Sequence, residues 1–88
     1  MKVVANGKLY DTSKLKELRG HDRRYGTGVT LVGVYQTNSG ILVVTDSVWQ
    51  ATDGGCVGIT ARFASQDEIV CLAERYRGEL LDLLPEGN

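Results

Sequence analysis

The chain has 88 residues, 42% of them hydrophobic and 24% charged, with a formal net charge of −1. That composition suits one small soluble domain spanning 1–88; it excludes a membrane helix, which needs roughly 18 consecutive apolar residues, and the strongly basic balance of a dedicated nucleic-acid binder. Met1 and Lys2 are followed by only three apolar residues, Val3 to Ala5, too few for a signal-peptide core, so a cytoplasmic protein is expected.

The near-zero total conceals a gradient. Residues 1–24 hold seven basic against three acidic side chains, a net of +4, whereas residues 65–88 hold two basic against six acidic, a net of −4. Such asymmetry steers a partner of either sign, or draws the two ends of the chain together. Two cysteines, Cys56 and Cys71, are too few and too far apart for a zinc site, and both are expected to be small buried thiols.

In chain order, Val3 and Val4 lead into Asn6-Gly7, a dipeptide whose tolerance of positive φ marks a tight hairpin over residues 2–10. Asp11 follows as an N-cap, with Tyr10 and Leu15 placed as a hydrophobic staple, and predicts a short helix from Thr12 to Arg19 ended by Gly20. Gly20 to Gly28 has no periodicity and reads as a polar loop. Three strands come next: Val29 to Gln36, Ile41 to Trp49 and Cys56 to Ala64, joined by turns at Thr37 to Gly40 and Asp53 to Gly55. Val29, Leu31 and Tyr35 alternate onto one face of the first strand, with Val32 and Val34 on the other. In the third strand Val57, Ile59, Ala61 and Phe63 form the face fit for a core, and Gly58 marks a bulge or a close backbone approach.

Ala64 to Pro85 is the stretch where the ordering signals agree best. Ser65 and Glu68 form a capping box, and Ile69, Leu72, Ala73, Tyr76, Leu80, Leu83 and Leu84 recur at helical spacing, so a long amphipathic helix is expected. The leucines after Gly78 exceed what one sheet face absorbs; either the helix ends near Gly78 and they wrap the sheet, or Leu80, Leu81 and Leu84 form a homodimer surface. The fold class is α+β: an N-terminal hairpin and a three-stranded antiparallel meander, with a short N-terminal helix and a long C-terminal helix packed on one face.

No catalytic constellation stands out, and no cofactor or metal is called for. His21 is the single histidine, and pairing it with Cys56 or Cys71 is the only nucleophilic chemistry on offer; Asp46 and Asp53 lack a defined base or metal. Gly26-Thr27-Gly28 and Gly54-Gly55 lead into strands rather than helix N-termini, so they are turns and not phosphate cradles. The candidate partner-binding residues are Arg19, His21, Arg23, Arg24 and Tyr25, a basic run with one aromatic ring, together with Trp49 at a strand end. A protein surface is the expected partner. The alternative is a small nucleic-acid-binding regulator that uses Lys14 to Tyr25 for phosphate contact and base stacking.

The opening Gly7-Lys8-Leu9-Tyr10-Asp11-Thr12, the Val34-Tyr35-Gln36-Thr37 strand before Asn38-Ser39-Gly40, and Ser65 to Glu68 at the head of the last helix carry a resemblance. In these features the chain resembles a group of short prokaryotic proteins often borne by phages and mobile elements, in which a GK-x-YDT opening and a Y-x-T-x-x-G hairpin recur. It departs from that group in lacking an aromatic run after the meander turn. Some phage-borne proteins of this kind are anti-CRISPR or other anti-defence inhibitors. The resemblance therefore implies a non-enzymatic protein that blocks a host complex by occupying its surface, and implies no catalytic residues.

Overall fold

The structure, a computed structural model, describes residues 1–26, 28–47 and 58–87. Strands β1 (Lys2–Ala5) and β2 (Lys8–Asp11) pair antiparallel with Val3 opposite Tyr10 and Val4 opposite Leu9. Asn6 and Gly7 between them have φ of 50° and 73°, the two positive values that a tight hairpin turn requires. The hairpin is as expected.

The helix expected from Thr12 to Arg19 does not form. Asp11 does cap, its Oδ1 accepting from Ser13 N at 3.1 Å and from Ser13 Oγ at 2.7 Å, but only one 3₁₀ turn follows, Thr12–Lys14. The chain then runs extended through β3 (Lys16–Arg19) and β4 (Asp22–Gly26), so the segment read as a polar loop is also largely strand. Leu15 packs into the core on one face of the sheet and Leu18 into the core on the other. A helix places residues three apart on the same face and cannot serve both; an extended chain can.

Strands β5 (Val29–Thr37), β6 (Gly40–Ser47) and β7 (Gly58–Phe63) form the expected antiparallel meander. Thr37 Oγ1 accepts from the backbone N–H of Ser39 and of Gly40 at 3.0 Å and holds the β5–β6 turn. β3 and β4 lie end to end along the free edge of β5, with Lys16 opposite Gln36 and Gly26 opposite Val29, so the sheet has five strands.

Both faces of this sheet are covered, where one was expected. On one, Leu31, Val34, Ile41 and Val43 meet Leu72, Ala73 and Leu80 from the C-terminal segment; on the other, Tyr35, Leu42 and Val44 meet Val3 and Ala5 of the hairpin. The ring of Tyr10 stands edge-on to Phe63 at 5.6 Å and ties the hairpin to β7. Simple alternation fails in β5 because a bulge shifts the register between Leu31 and Gly33. Leu31 consequently shares a face with Val34, and Tyr35 with Val32.

Helix α1 (Gln66–Tyr76) starts as predicted, Ser65 Oγ accepting from Glu68 N at 3.2 Å. It stops well short of Pro85. Arg77 and Gly78 have φ of 56° and 60°, and two successive residues with positive φ break the helix before a 3₁₀ segment, Gly78–Leu83. With three residues per turn, Leu80 and Leu83 stack inward while Glu79 and Asp82 stack on another side. Leu80 is 1% exposed and Leu84 also packs on the core, leaving Leu81, 39% exposed, as the surface member of the proposed dimer set. Three further expectations change. Cys71 is exposed rather than buried, being one helical step off the Leu72 and Ala73 stripe. Ile59 is exposed although Ala61 and Phe63 of the same face pack inward. Gly58 has φ of 101°, and among the described residues nothing lies within 4 Å of where a Cβ would stand, so there it serves a backbone conformation and not a close approach. Trp49, Asp53, Gly54, Gly55 and Cys56 lie outside the described residues.

Candidate functional site

The basic run lands on the sheet edge, and the edge is distorted there. From Asp22 to Gly26 the chain takes four residue steps while its partner takes two, Leu31 to Val29, so β4 bulges away from β5. Strand alternation would put Asp22 and Tyr25 on opposite faces. The bulge instead turns both toward α1.

Each is held there. Tyr76 Oη donates to Asp22 Oδ2 at 2.6 Å, and Asp22 Oδ1 accepts from Arg24 N at 2.9 Å. Arg75 reaches across from α1: Nη1 donates to the Tyr25 carbonyl at 2.9 Å, Nη2 donates to the Arg24 carbonyl, and the guanidinium lies 3.7 Å from Asp22 Oδ2. The same guanidinium sits 5.7 Å from the Tyr25 ring centroid and 5.4 Å from that of Tyr76, while Arg19 covers Tyr76 at 4.6 Å. Tyr25 Oη makes a long 3.5 Å contact with Glu68 Oε2, and Glu68 is itself held by both terminal nitrogens of Arg62 from β7.

The titration behaviour follows from these contacts. The Tyr76 hydroxyl, the Arg24 N–H and the nearby Arg75 and Arg19 charges hold the Asp22 carboxyl below its usual range. Loss of solvent, reinforced by the Asp22 bond, pushes Tyr76 up to about 12. Burial and the Glu68 carboxylate raise Tyr25, and the Glu68 hydrogen bond raises Arg62 further.

Of the residues singled out from sequence, His21, Arg23 and Arg24 are exposed at the bulge, and among the described residues their side chains enter no ion pair. Arg19 and Tyr25 belong to the supporting network, Arg19 stacked on Tyr76 and Tyr25 turned toward α1. Trp49 is outside the described residues. Sequence reasoning missed Asp22, Glu68, Arg75 and Tyr76 as the groups that hold the bulge. One signal was present: a tyrosine within an apolar helical stripe needs a partner for its hydroxyl.

One groove lies beside β4 and α1 and another on the hairpin side of the sheet. Tyr25, Asp67, Glu68, Cys71, Leu72 and Arg75 line the first, open and about 440 Å3, in which the Cys71 thiol has carboxylates nearby but no histidine to act as base. Met1, Val4, Ile59 and Ala61 line part of the second, about 490 Å3, between β1 and β7. Among the described residues no group of three or more His, Cys, Asp or Glu is placed to hold a metal ion, and no helix is long and apolar enough to cross a membrane. Comparison of the chain with protein-family models, curated proteins and solved structures finds no match.

Proposed function

We propose that this chain is a non-enzymatic, cytoplasmic protein-binding module whose contact surface centres on His21, Arg23 and Arg24. The observation that carries the reading is the bulge itself. Two consecutive arginines stand exposed on a segment whose neighbours, Asp22 and Tyr25, are tied to α1 by Tyr76 and Arg75. Bulges at sheet edges re-aim side chains, and arginine is favoured at interface centres, so a braced pair suits recognition more than solubility alone. The resemblance of the opening and hairpin motifs adds the class of activity: an anti-CRISPR-like inhibitor, phage or mobile-element derived, that occupies the surface of a host complex.

The nucleic-acid reading has less behind it. Lys16 lies at the far end of the broken edge strand and pairs with Glu79 at 3.1 Å, and the Tyr25 ring faces Arg75 instead of standing free for a base.

A tagged pull-down from the native host tests the proposal. The wild-type chain recovers a stoichiometric partner at gentle salt, and the doubly substituted Arg23→Ala, Arg24→Ala chain loses it. Recovery of no partner, or of the same partner by both chains, overturns it.

A further inference from the structure

From the same bulge, and resting on the protein-binding reading above, we infer that the surface recognised is an acidic helix face, read through paired carboxylates by Arg23 and Arg24. Three features of the edge select that partner. First, the Arg24 and Tyr25 carbonyls already accept from Arg75, so the edge is closed to an added strand at the point where the arginines stand. Recognition there falls to side chains. Second, the neighbouring aromatic rings are engaged, Tyr25 by Arg75 and Tyr76 by Arg75 and Arg19, which removes the stacking platform a single strand of nucleic acid would use. Third, Asp67 and Glu68 flank the groove beside Tyr25. A phosphate backbone running along this groove would meet the Asp67 carboxylate, whereas a compact acidic patch on the arginines need not enter it.

The spacing agrees. Arg23 and Arg24 have Cα atoms about 3.8 Å apart on long side chains, and carboxylates at i and i+4 of a helix have Cβ atoms about 6 Å apart, so each guanidinium can take one carboxylate in a two-bond fork. Lysine at the same positions keeps the charge and loses the fork.

The probe is a synthetic helical peptide bearing Glu at i, i+4 spacing, compared at low salt with its Glu→Gln counterpart and with a single-stranded oligonucleotide of equal charge. Fluorescence anisotropy reads binding, and circular dichroism confirms that the variants fold. The Glu peptide is expected to bind the wild-type chain at least about tenfold more tightly than either comparator. Arg23→Ala with Arg24→Ala abolishes that preference, and Arg23→Lys with Arg24→Lys weakens binding by about threefold or more. Equal binding of the Gln peptide, equal or tighter binding of the oligonucleotide, full binding by the lysine variant, or no binding of the Glu peptide overturns the inference. If the arginine pair still captures a host partner while the Glu peptide is ignored, the acidic-helix assignment alone falls. If the pair captures nothing either, the protein-binding reading falls with it.

Discussion

The Tyr76 hydroxyl donates to Asp22 Oδ2 at 2.6 Å across 54 positions of chain, and joins the last turn of α1 to the start of the bulged strand. The two partners link folding to pH at both ends of the scale, Asp22 mainly through this bond and Tyr76 mainly through its burial. Asp22 titrates below its ordinary 3.8 in the fold, so its contribution is complete above that value and is lost as pH falls through the depressed one. Tyr76 moves from 10.0 to about 12, so the folded state retains a proton that the unfolded chain gives up. Its contribution is complete below 10.0 and disappears as pH rises toward about 12. Thermal midpoints measured against pH should show Asp22→Asn flattening the acid limb and Tyr76→Phe flattening the alkaline limb. An alkaline slope unchanged in Tyr76→Phe would assign that limb elsewhere.

Arg75 braces the bulge by holding two backbone carbonyls, those of Arg24 and Tyr25. Backbone held in this way is a poor protease substrate, since cleavage requires local opening. Arg75→Gln should therefore speed tryptic cleavage after Arg23 and Arg24 several-fold at a temperature where global unfolding is negligible, as followed by mass spectrometry. A cleavage rate equal to wild type would mean that Asp22 and Tyr76 suffice.

Leu80 and Leu81 are adjacent and opposite in role, at 1% and 39% exposure. Removing a fully buried leucine leaves a cavity, and Leu80→Ala should cost about 3 kcal/mol in denaturant unfolding. Leu81→Ala should stay within about 0.5 kcal/mol. Similar costs for the two would place the terminal 3₁₀ segment differently on the sheet.

Gly33 lies beneath the Tyr35 side chain, and a Cβ added there would stand 2.5 Å from Tyr35 Oη. The ring is confined by its core neighbours, so Gly33→Ala should destabilise by about 1–3 kcal/mol. A double-mutant cycle checks the cause: in a Tyr35→Ala background the same substitution should cost much less. Additive costs would show that the ring is not what excludes the methyl group.

Local chemistry determined the hairpin, the cap at Asp11, the β5–β6 turn at Thr37 and the start of α1, because each depends on contacts within a few residues. Asn6-Gly7 needs only its own φ angles, and Ser65 meets Glu68 three positions on. The cysteine readings and the length of the last helix followed from composition and periodicity, and Cys71 and Gly78 show where those stop. Only tertiary structure decided the rest. Residues 12–26 carry a good cap and too few apolar residues for a helix, and the unpaired edge of β5 supplies backbone hydrogen bonds that no local pattern announces. The bulge at Arg23 and Arg24 is further still from local control. It exists because Arg75 and Tyr76, some fifty positions away, draw in the residues on either side of the pair. The sequence alone shows a basic run; the long-range bonds determine which of its side chains brace the fold and which are left facing outward.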